Sequence, residues 1–141
     1  MKEYFGIAWA LFASGAFAVV FNVRGRDLPL SATGGALGWA VYLLVADVAG
    51  TEGLAFFAAS ASVAVYSEIV SRLANRPATT YLACALIPLV PGGGMYYTMA
   101  RSLTGDVYGS LAEGVATLST AGAIAAGVAI GSAVARLARR L

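Results

Sequence analysis

The amino-acid sequence predicts an all-α integral membrane protein of about five transmembrane helices, with the fourth helix broken. Hydrophobic residues make up 60% of the 141 positions and charged residues only 11%, about half the charged fraction of a soluble globular domain. The apolar residues form five stretches of roughly 20 residues, the length that crosses a bilayer as a helix. Each stretch is continuous instead of alternating at period two, which favours helices over barrel strands.

The first three stretches end at charged or glycine-containing loops. They run from about Phe5 to Val23, from about Ala32 to Ala49 and from about Leu54 to Leu73. The first stretch resembles a secretory signal, but it is longer than a typical hydrophobic region of such a signal and stops at Arg24 and Arg26. We therefore expect it to be retained as a helix.

The fourth stretch, from Thr79 to about Leu103, contains Pro88 and the run Pro91-Gly92-Gly93-Gly94. Each proline removes an amide donor and clashes with the preceding turn, and the glycines remove backbone restraint, so a continuous helix is not expected. In hydrocarbon such a break needs protein or a water-filled cavity to satisfy its backbone. Transporters use broken helices to present backbone groups to a substrate, whereas the plainer alternative is a proline kink.

The fifth stretch, from about Leu111 to Leu137, is followed by a basic tail, and the charges around all five stretches indicate an orientation. The loops after the first, third and fifth helices share one side, which collects Arg24, Arg26, Arg72, Arg76, Arg136, Arg139 and Arg140. The other side carries Lys2, Glu3, Glu52, Arg101 and Asp106. The positive-inside rule then predicts an outside N-terminus and a cytoplasmic C-terminus.

The short loops predict a single transmembrane domain over residues 1–141. Two five-helix halves joined in series must cross the membrane in opposite directions, as in transporters built from inverted repeats. The predicted outside N-terminus and cytoplasmic C-terminus are the orientation that the second of two such halves would need, so the topology favours one half of a two-component transporter.

Other function classes are disfavoured by the residues that the chain lacks. It has no histidine and one cysteine, Cys84, so we expect no metal site, no cofactor and no nucleophile paired with a histidine. No acid/base constellation indicates an enzyme. A net charge of +2 from scattered arginines does not indicate a nucleic-acid partner.

Small residues four apart predict close helix contacts, because association in lipid depends on packing of the backbones. Gly34 with Gly38 and Gly127 with Gly131 fit this spacing. This spacing fits both general close packing of the helices and a dedicated dimer interface.

The segment Ile87–Tyr96, together with Phe21-Asn22-Val23-Arg24 and Asn75-Arg76-Pro77, resembles the threonine/serine exporter family, and specifically its small subunit. That subunit corresponds to the C-terminal half of the fused exporters. The resemblance implies proton-coupled export of small hydrophilic metabolites such as threonine and serine, or of dicarboxylates, across the bacterial cytoplasmic membrane. It also implies a larger partner subunit. Gly93 and Gly94 depart from the bulkier or hydroxylated residues of many relatives.

Candidate site residues come from the broken segment, from the motif matches and from ionisable groups. The candidate substrate or pathway residues are Asn22, Pro88, Pro91, Gly92, Gly93, Tyr96 and Arg101, and the candidate coupling residues are Asp47 and Glu68.

Each polar candidate has a structural alternative. Asn22 could cap the first helix, Arg101 could anchor the outer face instead of binding a carboxylate, and Asp47 could reach interfacial water. Glu68 stands four residues before Arg72, a favourable helical ion pair. Glu113 is expected in the first turn of the last helix, where the dipole favours an anion.

Two other functions stay open at this point. A non-transporting membrane scaffold would share the small-residue packing and the basic loops, and a homo-oligomeric channel could use the break as a filter of carbonyls. Aromatic residues such as Tyr96 and Tyr97 could line a site or serve as interfacial anchors.

Overall fold

The computed structural model describes the backbone of residues 2–138 and the side chains of residues 5–138, and within these ranges the chain is helical without strands. The helices are α1 (Lys2–Val20), α2 (Asp27–Ala49), α3 (Glu52–Ala74), α4 (Ala78–Leu86), a 3₁₀ turn (Ile87–Leu89), α5 (Gly92–Leu103) and α6 (Val107–Leu137). The side chains of Lys2 and Glu3, as well as Arg139 and Arg140, which the sequence assigns to the predicted charge distribution, lie outside the described residues.

The predicted all-helical membrane fold is confirmed. Helices α2, α3 and α6 are each long and apolar enough to cross a bilayer, and the segment over α4, the 3₁₀ turn and α5 passes the same test as a pair bent by 53°. Helix α1 is shorter, with an apolar part over Phe5–Val20. The five predicted stretches therefore correspond to five helical segments. The fourth segment is broken at the prolines and glycines, as the sequence predicted.

Helices α2 and α6 begin four or five residues earlier than predicted. Helix α2 begins at Asp27 instead of Ala32, because a proline such as Pro29 is tolerated in the first turn and an acidic residue is favoured there by the helix dipole. Helix α6 begins at Val107 instead of Leu111, because the Asp106 carboxylate accepts a hydrogen bond from the Gly109 amide at 2.9 Å and caps the helix.

Helices α1 and α3 end in the same way on the basic side of the bundle. Asn22 and Asn75 adopt left-handed backbone angles, with φ of 60° and 57°. After Asn22, the Val23 amide donates to the Ala18 carbonyl at 2.9 Å and the Asn22 amide to Val19 at 3.0 Å, which is the Schellman pattern of a helix C-terminus. The loops that follow are thus fixed to their helices.

Helices α2 and α3 form the centre of the bundle. Helix α1 packs on α2, α4 packs on both α2 and α3, and α6 packs on α3. One buried cluster of the core consists of Ala59, Val63, Ala85 and Leu89, and a second consists of Ala18, Val23 and Cys84. Glycines allow the helices to approach, since a β-carbon on Gly38 would lie 2.6 Å from Val63.

Helix α5 and the first half of α6 form a hairpin beside this core. No residue of α5 is buried, and its main contacts are with α6. The second half of α6 packs on α3 through Gly127 and Gly131. Helix α6 is about 46 Å long at 1.5 Å per residue, so it links the core to the hairpin.

Candidate transport site at the broken helix

The break between α4 and α5 is a defined turn. The Val90 amide donates to the Ile87 carbonyl at 3.2 Å, which closes the 3₁₀ turn. The Gly92 amide then donates to the Val90 carbonyl at 2.7 Å across Pro91, whose φ of −76° and ψ of 57° are those of an inverse γ-turn. Helix α5 starts immediately afterwards, so the chain changes direction within a few residues.

The break lies at the middle depth of the bundle. Leu89, in the 3₁₀ turn, is 1% exposed and packs in the core with Val63. A β-carbon built on Gly38 would lie 3.5 Å from Leu89. Gly38 and Val63 stand near the midpoints of α2 and α3, so the turn lies about half a span from either end of these helices.

The three glycines after Pro91 have different surroundings. A β-carbon on Gly92 or Gly93 would meet no atom within 4 Å, and both residues are exposed. A β-carbon on Gly94 would overlap the Thr117 hydroxyl of α6 and lie 3.3 Å from its β-carbon. Gly94 is therefore a packing residue, whereas Gly92 and Gly93 leave the backbone accessible.

The accessible backbone is the N-terminus of α5. The amides of Gly93 and Gly94 belong to the first helical turn, where no preceding turn supplies carbonyl acceptors. The same end carries the positive pole of the helix dipole, which attracts anionic groups. The arrangement can therefore donate hydrogen bonds to a carboxylate or a hydroxyl oxygen.

A cavity of about 220 Å³ lies beside the break, between α1, α2 and Pro88. Its lining includes Gly6, Trp9 and Trp39. The indole Nε1 of Trp39 is buried against Gly6 and has no hydrogen-bond partner. The space is mostly apolar, and Pro88 is the residue that connects it to the broken segment.

The structure does not bring every predicted pathway residue to the break. Tyr96 and Tyr97 follow it closely on α5; both are exposed, and their rings meet edge to face with centroids 5.4 Å apart. Arg101 lies at the far end of α5, with its Nη1 3.3 Å from the Asp106 carboxylate. Asn22 is exposed at the end of α1 on the basic side.

The two candidate coupling residues also lie away from the break. Asp47 is exposed in the last turn of α2. Glu68 is buried, but the predicted pairing with Arg72 is wrong: its carboxylate accepts a hydrogen bond from Arg136 Nε of α6 at 2.9 Å. Arg72 donates instead to the Ala135 carbonyl at 2.6 Å, because α6 packs along α3 and offers partners across the helix contact.

The expected position of Glu113 is also wrong. Because α6 begins at Val107, Glu113 stands in the second turn, where the helix dipole no longer favours an anion strongly. It is half-buried near Gly114, whose β-carbon would lie 3.3 Å from Thr98 of α5.

The sequence interpretation missed a polar cluster at the basic end of the bundle. Tyr81 of α4 is fully buried and its hydroxyl donates to Asp27 Oδ1 of α2 at 2.7 Å. The other oxygen of Asp27 is 3.4 Å from Arg76 Nε. An acidic residue directly before an apolar stretch was the available signal, since few acids occur in this chain.

A model of the family described as "Threonine/Serine exporter, ThrE" matches residues 6–134, which is nearly the whole chain. The chain belongs to the threonine/serine exporter family. The predicted resemblance is confirmed at this level, and the exporter-family chain is a multi-pass membrane protein with the character of a transporter rather than an enzyme. No curated protein and no solved structure matches it.

Proposed function

We propose that this chain is one membrane subunit of a secondary exporter for small hydrophilic metabolites, and that its broken fourth span forms part of the pathway. The expected substrates are amino acids of the threonine and serine type, with dicarboxylates as the alternative class. The observation that carries the proposal is the exposed start of α5 at Gly92 and Gly93, at the middle depth of a bundle whose family exports threonine and serine.

The chemistry of this site suits the carboxylate of such a substrate. Amides in the first turn of a helix and the positive end of its dipole bind anions without a positively charged side chain. Because Gly92 and Gly93 carry no side chain, a solute can approach the backbone closely. Pro91 fixes the direction in which the amides point, since its ring limits φ.

We propose a larger subunit as the second wall of the pathway. The hairpin of α5 and α6 carries exposed apolar side chains, among them Met95, Met99, Leu111 and Leu118. Helix α5 buries none of its residues within this chain. A partner half of opposite orientation would enclose the break between two components, as in inverted-repeat transporters.

We propose further that export is driven by the proton gradient across the bacterial cytoplasmic membrane, with the N-terminus outside and the C-terminus cytoplasmic. Asp47 and Glu68 remain the candidate coupling residues. Glu68 is the buried member and its partner Arg136 links α3 to α6, so protonation of Glu68 would weaken a contact between two helices. The Asp47→Asn and Glu68→Gln variants should separate the two candidates in assays of proton-driven uptake.

Transport by reconstituted vesicles tests the proposal. The chain should support saturable serine counterflow with its larger subunit and not alone. Gly93→Leu should lower this counterflow on the order of tenfold, since a lost hydrogen bond to a charged group costs about 1.5–3 kcal/mol. Gly53→Leu is the matched control, because a β-carbon there also meets no atom within 4 Å but lies at the start of α3.

Three results would contradict the proposal in different ways. Full activity of Gly93→Leu in an assembled complex would remove the break from the pathway. Flux that does not saturate and shows no counterflow would indicate a channel. Absence of flux from the wild-type complex for amino acids and dicarboxylates alike would favour a scaffold.

A further inference from the structure

A groove made of two adjacent parts, one apolar and one bounded by charged residues, lies along α2 and α3 towards the basic end of the bundle. Its upper part, about 480 Å³, is lined by apolar side chains of α2, α3 and α6, including Leu37, Ile69 and Val134. Its lower part, about 800 Å³, is lined in part by Leu30 and Leu73. The two parts meet where the Tyr66 hydroxyl of the upper part donates to the Leu30 carbonyl of the lower part at 2.9 Å.

The lower part ends in a rim of positive charge. Arg24 and Arg26 of the α1–α2 loop and Arg76 of the α3–α4 loop line it, with Asp27 beside them. Asp27 is already engaged by Arg76 and by the Tyr81 hydroxyl. Among the described residues, no carboxylate lies within 4 Å of Arg24 or Arg26.

The rim is held in place by the loops that carry it. The turn at Asn22 and Val23 fixes the start of the α1–α2 loop. Arg76 is bound to the end of α3 on both sides of its backbone: its amide donates to the Ser71 carbonyl at 3.1 Å, and its carbonyl accepts from the Ser71 hydroxyl at 2.7 Å. The backbone of the loops that carry the arginines is therefore fixed beside the groove.

The length and exposure of the groove match one leaflet of a bilayer. From Leu37 to Arg26 is eleven residues of helix, about 16 Å, and half of a hydrocarbon core is about 15 Å. Ile69, Leu73 and Val134 are 49%, 84% and 57% exposed. An apolar surface of this size that ends at the unpaired Arg24 and Arg26 of the described residues matches an amphiphile with an anionic headgroup.

We propose that this groove binds an anionic phospholipid of the leaflet at the basic end, with its phosphate at Arg24 and Arg26 and an acyl chain along the upper groove. A free phosphate or a small carboxylate would use the rim but leave the apolar part uncovered. A zwitterionic lipid would cover the apolar part but leave the net positive charge of the rim without a counter-charge. Basic pockets between transmembrane helices bind anionic headgroups by this combination.

The test uses the full chain, with and without its larger subunit, in nanodiscs of phosphatidylcholine that contain a minority of phosphatidylglycerol with a photoreactive acyl chain. Crosslinks should form at Ile69, Leu73 and Val134. In native mass spectra, phosphatidylglycerol should remain bound in preference to phosphatidylcholine. The double variant Arg24→Gln with Arg26→Gln should lower that retention about thirtyfold, since each arginine near an anionic surface contributes about 1 kcal/mol.

Arg101→Gln is the matched control, because Arg101 lies at the opposite end of the bundle and is paired with Asp106. It should leave the retention unchanged. Equal retention of the two lipids by the wild-type chain would overturn the headgroup assignment. Loss of the acyl crosslinks at these positions only when the larger subunit is present would show that a protein covers the groove. Loss of the preference for phosphatidylglycerol in the presence of free phosphate, with the acyl crosslinks unchanged, would show a free-anion site.

Discussion

Substitution of Gly131 by alanine should weaken the contact between α3 and α6. A β-carbon at this position would lie 2.5 Å from the Ala61 carbonyl oxygen and 3.0 Å from the Ala61 α-carbon. These are backbone atoms, which cannot rotate away as a flexible side chain can. Ordinary contact begins at 3.4 Å, so Gly131→Ala must push the two helices apart by close to 1 Å.

The expected cost follows from this displacement. Overpacking of a well-packed contact costs about 1–3 kcal/mol, and a radial gap of 0.5–1 Å forfeits about a quarter to a half of the dispersion energy of each atom pair. In lipid no hydrophobic force restores the pairing, because the surrounding chains are equally apolar. We therefore expect Gly131→Ala to lower the free energy of unfolding by about 2 kcal/mol.

Gly122→Ala is the matched control on the same helix. A β-carbon at Gly122 meets no atom within 4 Å, so it adds the same helix propensity without an overlap. Unfolding in mixed micelles by added denaturing detergent, followed by circular dichroism, measures both variants. Equal stability of Gly131→Ala and Gly122→Ala would refute the reasoning that the α3–α6 contact depends on backbone approach.

Three further predictions concern single side chains. Glu68→Gln should lower the free energy of unfolding by only about 1 kcal/mol, because Arg136 is 70% exposed and the pair is partly screened. If Glu68→Gln has the same effect in a variant that lacks the Arg136 side chain, the pairing is contradicted. Asn22→Gly should leave the free energy of unfolding unchanged, whereas Asn22→Val should lower it by about 1–2 kcal/mol, because φ is 60° at this position. Loss of transport in a stable Asn22→Gly variant would indicate a pathway role for the side chain. Cys84 is fully buried, so maleimide should label it only at the rate of unfolding, and rapid labelling of the folded protein would contradict its place in the core.

The sequence was sufficient for the number of helical segments and for the position of the break. Span length and continuous apolar composition are local properties, and the effect of Pro88, Pro91 and the glycines on a helix is local as well. The starts of α2 and α6 were predicted four or five residues too late, because charged residues were assigned to loops although Asp27 begins one helix and Asp106 caps the other.

The partners across helices could not be predicted from the sequence. Glu68 and Arg136 are 68 positions apart, and helices that are apolar on all sides give no pattern that fixes which face meets which neighbour. For the same reason the sequence could not distinguish Gly94, which packs against Thr117, from Gly92 and Gly93, which are open. The depth of the break was predictable, but the surroundings of each glycine depend on packing.

The contact with α3 divides α6 into a long part and a short part. Its contact with α3 is centred near residue 129, between Gly127 and Gly131, so Val107 lies about 33 Å to one side and Leu137 about 12 Å to the other at 1.5 Å per residue. If α6 tilts as a rigid rod about this fulcrum, a 3 Å swing of the hairpin end moves the basic end by about 1 Å. A displacement of that size suffices to break the hydrogen bond between Arg136 and Glu68. Movement of the hairpin at one face of the membrane would therefore be coupled to this ion pair near the other face.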